Sequence, residues 1–371
     1  MKNFDVVIAG AGMAGASLAA EIARNASVLL LEMESQPGYH ATGRSVAFWA
    51  ESYGGPAIQP LTTASGSLMR TPDPAFSETP FLHERGAIHI GREDSAAAFM
   101  AFTEKFAGST VALTPLDRMA LEQRIGGLRP GWTRGLAEPS TMDIDVAALH
   151  AACLRAATKA GAKIANARKL LSARREGAGW RIETTAGPVL AQVLVNAAGA
   201  WADEVARACG VAPIGIQPLR RTVVQLRTDP APPRDLPLII DIEEHFYFKV
   251  EGTGRLWLTP HDEAPAPPGD AAPEEWAVAE AIARFQQVVD WNVEAVERKW
   301  AGLRSFAPDR LPVYGFDPLA RGFFWFAGQG GFGIQTALAA AKLGASLLTG
   351  EPRHASVRHI DAEPYAPDRF E

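Results

Sequence analysis

The glycine loop near the N-terminus constrains the fold more than any other stretch of this chain. Gly10-x-Gly12-x-x-Gly15 follows an apolar run from Phe4 to Ala9 and opens a helical pattern from Met13 to Arg24. A strand–loop–helix of this kind is typical of a dinucleotide-binding domain. Its three glycines permit the turn, the approach of a pyrophosphate and the close packing of helix on strand. We expect the amides of Met13 and Ala14, at the start of the helix, to face the phosphates.

A second buried strand, from Ser27 to Leu31, completes the βαβ unit and ends in an acid. Glu32 lies 17 residues beyond Gly15, where a carboxylate accepts hydrogen bonds from ribose hydroxyls. Its negative charge would repel a 2′-phosphate, which disfavours NADP as the dinucleotide. We expect Glu32 and the adjacent Met33 to contact the cofactor.

The remaining chain divides into two interleaved domains. Residues 52–142 are rich in proline, glycine and short mixed segments, with one helix near 94–107, whereas strand-like runs between 216 and 262 predict a mostly antiparallel sheet. A helix from Asp145 to Ala160 returns to the first pattern. We therefore predict an α/β fold, in which a Rossmann-like nucleotide-binding domain is interleaved with an α+β substrate domain. The predicted segments are 1–51, 143–215 and 307–371 for the nucleotide-binding domain, and 52–142 and 216–306 for the substrate domain.

Composition excludes several classes of function. The 371 residues carry a net charge of −6, which gives no electrostatic footprint for nucleic acid. Two cysteines allow neither a disulfide framework nor a CxxC pattern, and the eight histidines are scattered, so no metal site is predicted. His83 and His89 are interpreted as surface residues. No apolar run reaches the roughly 18 residues of a membrane span. We expect a cytoplasmic protein, with peripheral contact to the inner membrane left open.

Five further blocks span most of the chain. They are GYHATGRS (38–45), VLVNAAGAWA (193–202), QPLRR (217–221), WAGLRSF (300–306) and AGQGGFGIQT (327–336). In this order they resemble the FAD-dependent amine and D-amino acid oxidoreductases, the family of D-amino acid oxidase, glycine oxidase and sarcosine oxidase, and most closely its bacterial D-arginine dehydrogenases. The resemblance implies FAD, held non-covalently, since the cysteine that attaches flavin in sarcosine oxidases would fall near Gly302, where this chain has none. The further cofactor contacts that it implies are Gly43, Arg44, Ser45, Ala198, Gly199, Trp201, Gly330, Gly331, Gly333, Ile334 and Gln335.

The second glycine cluster, Gly328-x-Gly330-x-x-Gly333, matches the dinucleotide pattern but not its context. Another dinucleotide site would need a strand after the helix, ending in an acid about 20 residues on. The helix here runs into residues 348–353, where Glu351 stands between glycine and proline. Glycines also let the backbone pass close to a flat ring, and a helix beginning near Ile334 would stabilise the negative charge of reduced flavin. We therefore predict one FAD, with its ring on residues 330–335, and no NAD(P).

Two arginines predict a site for a carboxylate. Arg304 lies within an apolar strand, an expensive place for an unpaired charge, and Arg221 begins another strand. An arginine fork binds a carboxylate through two hydrogen bonds. The resemblance implies that both face the substrate, with Arg304 as the clamp, that Tyr247 and Tyr53 bind the same carboxylate, and that Gln335 reaches flavin or substrate. A structural ion pair for the arginines and core packing for the tyrosines remain open alternatives.

Two departures from the D-arginine dehydrogenases indicate the substrate. Phe48 replaces a histidine, and Ala87 replaces a glutamate that faces the cationic side chain of the substrate. Without that acid, a buried guanidinium would lack its charge partner. We therefore expect oxidative deamination of a neutral, apolar D-amino acid, in which a hydride passes from Cα to flavin N5 and the imino acid is hydrolysed to a 2-oxo acid and ammonia. Oxidation of glycine, of a sarcosine-type amine or of a 2-hydroxy acid is the alternative.

The electron acceptor is left undetermined among a quinone, a dye-like carrier and O2. Oxidases of this family use a lysine to activate oxygen, whereas the corresponding strand here reads Leu256-Trp257-Leu258. The resemblance therefore favours a dehydrogenase over an oxidase.

Overall fold

Three β-sheets organise residues 2–370, the part of the chain that the computed structural model describes. The strands are β1 (Lys2–Ala9), β2 (Val28–Leu31), β3 (Phe48–Trp49), β4 (Leu82–Glu84), β5 (Ala87–Arg92), β6 (Thr114–Leu116), β7 (Trp132–Glu138), β8 (Met142–Ile144), β9 (Lys163–Ala165), β10 (Leu170–Glu176), β11 (Gly179–Thr184), β12 (Val189–Asn196), β13 (Gln217–Asp229), β14 (Leu238–Asp241), β15 (Tyr247–Glu251), β16 (Arg255–Thr259), β17 (Ala264–Pro265), β18 (Asn292–Phe306), β19 (Val313–Phe316), β20 (Phe323–Ala327) and β21 (Gln329–Gly330). The α-helices are α1 (Met13–Ile22), α2 (Gln59–Arg70), α3 (Ala96–Lys105), α4 (Arg118–Glu122), α5 (Val146–Lys159), α6 (Ala202–Ala208), α7 (Glu275–Val288) and α8 (Ala337–Thr349). None of these helices combines the length and the apolar character needed to cross a bilayer.

The first sheet is built around the strand that precedes the N-terminal glycine loop. Its strands run in the order β10-β11-β12-β1-β2-β9, with β20 beside β12 and β19 beside β20. The pairs β12–β1, β1–β2, β2–β9 and β12–β20 are parallel. Every residue of β2 is buried, as expected for a parallel strand covered on both faces, and Leu18 of α1 packs with Ala339 of α8 against Ile8 of β1. All of its strands come from segments 1–51, 143–215 and 307–371.

The second sheet has ten strands and is antiparallel except for the pair β14–β5. Its order is β21-β18-β13-β16-β15-β14-β5-β7-β6, with β17 beside β13. β13 and β18 form a long ribbon, from Gln217 opposite Phe306 to Asp229 opposite Asn292, that carries both predicted arginines. The parallel pair joins strands of segment 52–142 to the sheet expected from residues 216–262. Helix α7 packs on this sheet through Phe285.

The two domains meet at the second glycine cluster. β21 follows β20 of the first sheet but pairs with Ser305 and Phe306 at the end of β18. Helix α2 lies within segment 52–142, yet its Leu61 joins the core of the nucleotide-binding domain. A small antiparallel sheet, β3-β8-β4, connects the same segments. The glycine cluster and the ends of β18 and β20 are therefore brought together.

Two sequence-based expectations were wrong. Helix α8 begins at Ala337 and not near Ile334, and residues 331–336 form turns. Glycine disfavours helix because it gives up the most backbone entropy, and Gly330 has a left-handed φ of 55°. His89 is only 4% exposed and is not a surface residue, because Glu138 on the neighbouring strand β7 supplies a hydrogen-bond partner within the core. His83 is exposed, as expected.

Candidate active site

A cavity of about 480 Å³ lies where the two domains meet. Its wall extends from the C-terminal ends of β1 and β2 to β18 and the second glycine cluster. The predicted site residues on this wall are Gly10, Gly12, Met13, Ala14, Glu32, Met33, Arg44, Ser45, Ala198, Gly199, Trp201, Arg221, Tyr247, Arg304, Gly330, Gly331, Gly333 and Ile334. One cavity thus brings together the residues expected at the phosphates, at the ring and at the substrate carboxylate.

Four predicted residues, Gly15, Gly43, Tyr53 and Gln335, are not on this wall. A Cβ atom on Gly15 would come within 1.9 Å of the Gly10 carbonyl oxygen, so Gly15 serves the packing of helix on strand. A Cβ atom on Gly43 would come within 2.7 Å of the carbonyl oxygen of Gly38. Both glycines therefore allow close packing of the loops that carry the cavity wall, although neither lines the cavity.

The N-terminal glycine loop presents free donors to the cavity. Gly10 has a φ of 103°, which L-amino acids with a side chain rarely adopt. Helix α1 begins at Met13, and its N-cap residue Gly12 provides no side-chain cap. The amide of Met13, expected to face the phosphates, donates instead to Thr42 Oγ1, so a phosphate would use other N–H groups of the first turn. Glu32 shapes the loop by accepting the amide of Ala11 at 3.1 Å. His150 lies 2.9 Å from the Ala11 carbonyl oxygen, and burial lowers its pKa, so it acts as a neutral donor.

Part of the wall was not among the predicted site residues. Residues 38–42, at the start of the block GYHATGRS, line the cavity, and Thr42 accepts the amide of Met13 at 3.0 Å. Residues 168–171, which carry no motif, also line the cavity. Gly269 and Ala271, in a proline-rich stretch, line it from the other domain. Residues 168–171, Gly269 and Ala271 are brought to the cavity by the tertiary fold, and no local spacing marks them.

The second glycine cluster makes room for side chains of β18. A Cβ atom on Gly331 would lie 2.9 Å from Cζ of Arg304, and one on Gly330 would lie 2.3 Å from the ring of Phe306. The absence of side chains here therefore lets Arg304 reach the cavity beside the backbone of residues 330–331. These glycines thus make room for side chains of β18, in addition to the contact with a flat ring that the sequence predicted.

Arg221 is almost fully buried and keeps one donor free. Its Nε donates to the Asp262 carbonyl at 2.9 Å, and Nη2 lies 3.2 Å from a Glu263 carboxylate oxygen, whereas Nη1 is buried without a protein partner. Burial, followed by repulsion from Arg304, lowers the pKa of Arg221. A guanidinium nevertheless stays protonated in proteins. The open donor therefore calls for an acceptor from a ligand.

Arg304 has no acid of its own. Within residues 2–370, no carboxylate lies at ion-pair distance from its guanidinium, and the acid that acts on it, Glu263, already binds Arg221 and Arg310. Burial alone would lower the pKa of Arg304, but neighbouring groups, first among them Tyr53, raise it. The guanidinium lies 5.8 Å from the centroid of the Tyr53 ring. The cavity therefore has a surplus of positive charge at this end.

Gln335 supports Tyr53 and does not line the cavity. Its side chain is 2% exposed, and its amide donates to the Tyr53 carbonyl at 2.8 Å and to Thr62 Oγ1 at 2.9 Å. The turn before α8 directs it toward α2. The expected contact of the Gln335 side chain with flavin or substrate is therefore replaced by a contact with the segment that carries Tyr53.

Glu138 holds the same segment from the opposite side. This glutamate is fully buried, and its carboxylate accepts the Ser52 amide at 3.1 Å and the Ser52 hydroxyl at 2.5 Å. Burial opposes its ionisation, but bonds from His89 and Ser52 hold the pKa of Glu138 below its usual value. Tyr53 thus follows a residue anchored to the core.

An apolar cluster lies beside the two arginines. Its buried members are Val46, Phe48, Ala50, Ala87, Val223, Leu238, Ile240 and Tyr247. The Phe48 ring contacts Tyr53 and Tyr247 with centroid distances of 4.9 and 5.5 Å. Ala87 brings no charge to this cluster.

The family assignment rests on a match between residues 5–347 and the model of DAO, FAD dependent oxidoreductase. The chain belongs to this family. It is 28% identical to a glycine oxidase of Geobacillus kaustophilus, covering 88% of each chain, and 27% identical to the mitochondrial dimethylglycine dehydrogenase of Rattus norvegicus, covering 94% of this chain and 43% of that protein. The crystal structure of the Geobacillus kaustophilus glycine oxidase matches 99% of this chain with a TM-score of 0.85 at 22% identity, and covers 98% of that chain. L-proline dehydrogenase from P. horikoshii matches with a TM-score of 0.86 at 20% identity over 100% of this chain and 98% of its own. These likenesses confirm the predicted fold.

FAD is the cofactor of this family, and the cavity suits it. The uncapped start of α1 fits a pyrophosphate, and Gly330 and Gly331 bring bare backbone to the far end, where a ring would lie. Cys153 and Cys209 are both buried and neither is on the wall, so no cysteine is placed to attach the flavin. Non-covalent binding stays a prediction.

Proposed function

We propose that the protein oxidises a neutral, apolar D-amino acid with FAD, giving an imino acid that water converts to a 2-oxo acid and ammonia. The observation that carries the proposal is Arg304, a guanidinium without an acid partner on the wall of the FAD cavity. Arg304 is half-buried on this wall, and a charge that is partly removed from water without a partner is costly unless a ligand completes it. The carboxylate of an amino acid supplies the missing charge.

The carboxylate would be bound from two sides. Arg304 offers its fork, and Nη1 of Arg221 offers the buried donor that has no protein partner. Tyr247 is 3% exposed on the same wall, and Tyr53 lies above Arg304. Such an arrangement fixes the carboxylate and hence the direction of the Cα–H bond, which is the main requirement for hydride transfer.

The side chain of the substrate would pack against Val46 and Val223, aliphatic members of the apolar cluster that line the cavity. Phe48 and Ala87 lie in the same cluster but not on the cavity wall, and neither brings a carboxylate that could pair with a cation. A cationic side chain would lose its hydration without compensation, whereas an apolar one gains by burial. The choice of a D-amino acid rests on the resemblance of the five blocks at 38–45, 193–202, 217–221, 300–306 and 327–336 to the D-arginine dehydrogenases.

Bound FAD supplies the acceptor for the hydride and for its two electrons. The protein orients the amine, and the imidazole near the site, that of His261, does not act as its base. His261 packs against Tyr247, with ring centroids 5.6 Å apart, but burial lowers the pKa of His261 to about 2, with Arg221 and Arg304 adding to the effect. This imidazole is therefore neutral at ordinary pH and is too weak a base to take the proton from an ammonium group. The amine is expected to react after losing its proton to water.

A second candidate is oxidation of glycine or of a small secondary amine. It is favoured by the names of the relatives, which are glycine oxidases and dimethylglycine dehydrogenases. The same arginines would bind the carboxylate of these substrates. The two candidates differ in whether the substrate has a side chain that packs against the apolar cluster.

Flavin bleaching under anaerobic conditions separates the candidates. The holoprotein is mixed with D- and L-leucine, D-phenylalanine, D-arginine, glycine, sarcosine and 2-hydroxy acids, and the absorbance of oxidised flavin is followed. Fast bleaching by D-leucine or D-phenylalanine supports the proposal. Preference for glycine or sarcosine supports the second candidate, and preference for D-arginine, an L-amino acid or a 2-hydroxy acid contradicts both. Air is then admitted, since the rate of reoxidation distinguishes an oxidase from a dehydrogenase.

A further inference from the structure

A proline-rich segment forms part of the wall around FAD. Gly269 and Ala271 line the cavity, although the sequence of residues 264–274 suggests only a connection to helix α7. We call residues 264–274 the strap. It comes from the substrate domain, whereas most of the residues around the N-terminal glycine loop come from the other domain.

Both ends of the strap are fixed to β13. Ala264 and Pro265 form β17, which pairs with Arg220 and Leu219. At the other end, Glu274 accepts a hydrogen bond from Nη1 of Arg220 at 2.8 Å. The middle of the strap must therefore be held by other contacts if it is to stay against the cavity.

Those contacts come from Arg44 and Tyr39 of the nucleotide-binding domain. Nη2 of Arg44 lies 2.5 Å from a carboxylate oxygen of Asp270, and Nη1 donates to the carbonyls of Ala271 and Ala301, each at 3.2 Å. The Tyr39 hydroxyl donates to the other oxygen of Asp270 at 3.3 Å, and the Arg44 guanidinium lies 5.0 Å from the centroid of the Tyr39 ring. The strap is thus joined across the domain boundary.

We infer that Asp270 is a positioning residue that holds the strap against bound FAD and slows release of the cofactor. Arg44 was expected to contact FAD directly, but its donors are occupied by the strap and by β18. Its main effect on FAD is therefore exerted through the strap. Asp270 is 64% exposed, so the ion pair that closes the strap is accessible to salt. This inference depends on FAD binding alone and not on the identity of the substrate.

The rate of FAD dissociation tests it. Holoprotein is diluted, and the rise of free-flavin fluorescence is followed for the wild type and for Asp270→Asn, which keeps the shape of the side chain and removes its charge. At low salt the variant should release FAD faster by up to about fivefold, the upper end of the range expected for a partly exposed ion pair. At about 1 M NaCl the wild type should approach the variant, because screening removes the same interaction. Tyr39→Phe should give a smaller increase.

Glu93→Gln is the matched control. Glu93 and Arg134 form another exposed pair at 2.5 Å, and neither residue lines the cavity, so this variant should release FAD at the wild-type rate. Equal rates for Asp270→Asn and the wild type overturn the inference, as does an equal acceleration by Glu93→Gln. Thermal unfolding of the apoproteins provides the second readout. The Asp270→Asn apoprotein should unfold at the same temperature as the wild-type apoprotein. If the substitution lowers the unfolding temperature of the apoprotein as much as that of the holoprotein, Asp270 acts on the fold and not on FAD retention.

Discussion

At the scale of single residues, Arg304 is the group on which substrate binding depends most. Arg304→Lys keeps the charge but loses the planar fork, so kcat/KM for the preferred amino acid should fall about 30-fold. The measurement is the rate of anaerobic flavin reduction against substrate concentration, with the flavin absorbance showing that FAD is retained. Arg310→Lys is the control, because Arg310 binds Glu263 near the site but is not on the cavity wall. A similar loss in both variants would argue against a clamp at Arg304.

Ala87 tests the choice of side chain. Ala87→Glu places a carboxylate in the apolar cluster, and Ala87→Gln adds nearly the same volume without a charge. The ratio of kcat/KM for D-arginine to that for D-leucine should be about tenfold higher in the glutamate variant than in the glutamine variant, because only a carboxylate compensates a buried guanidinium. Ratios that are equal in the two variants would place the substrate side chain elsewhere.

At the scale of structural elements, neighbouring glycines of the second cluster should have different effects. A Cβ atom on Gly331 meets the movable end of Arg304, so Gly331→Ala should raise KM with little effect on unfolding. A Cβ atom on Gly330 meets the Phe306 ring at a left-handed φ, so Gly330→Ala should lower the free energy of unfolding by about 1–3 kcal/mol. Urea unfolding and steady-state kinetics of both variants check this. The prediction fails if Gly331→Ala is the less stable variant.

Elements with a strong local pattern were predictable, and those defined by distant partners were not. The N-terminal strand–loop–helix and the helix at 146–159, capped by Asp145, follow from short-range periodicity and capping. In contrast, β5 joins the second sheet only because Ala87–Ile90 pairs with Leu238–Asp241, far along the chain. The same reason explains His89, whose burial depends on Glu138 of β7.

The same contrast between local patterns and distant partners applies to the residues of the site. Gly12 was predicted because the spacing of the N-terminal glycines carries the chemistry, and Gly331 was predicted from the family resemblance; both line the cavity. The strap was missed because it reaches the cavity only through the packing of the two domains. Residues 168–171 were missed because their place depends on the pairing of β9 with β2 and on the bond from the Arg168 amide to the Glu32 carbonyl, which no motif marks. Gln335 follows the residues that line the cavity, but its side chain points away from the cavity. The direction of a side chain in a turn is set by its hydrogen-bond partners, here Tyr53 and Thr62.

At the scale of the whole molecule, the cavity couples the two domains. Its wall combines Gly12 and Glu32 from the first sheet with Arg221 and Arg304 from the second, and the strap closes across them. A ligand that binds only the folded form raises stability by mass action. Excess FAD should therefore raise the unfolding temperature of both domains together. Differential scanning calorimetry checks this, and two separate transitions of which only one responds to FAD would contradict it.

Low pH should reduce the free energy of unfolding through Glu138, a buried residue of β7 that is hydrogen-bonded to Ser52, next to Tyr53. Its folded-state pKa lies below the usual 4.5, so its ionisation stabilises the fold above that pH, and this contribution is lost as the pH falls through the lower folded-state value. Glu138→Gln should cost about 1–3 kcal/mol at neutral pH, because charged hydrogen bonds to Ser52 and His89 are lost. The difference in free energy of unfolding between the wild type and Glu138→Gln should then narrow as the pH falls below 4.5.

Urea unfolding across that range, with FAD in constant excess, measures this gap. Glu78→Gln, at an exposed glutamate, should instead give a curve parallel to that of the wild type. A gap for Glu138→Gln that stays constant with pH would mean that this side chain contributes packing and not charge. A narrowing gap would instead trace part of the acid sensitivity of the whole fold to the carboxylate that anchors Ser52 next to Tyr53.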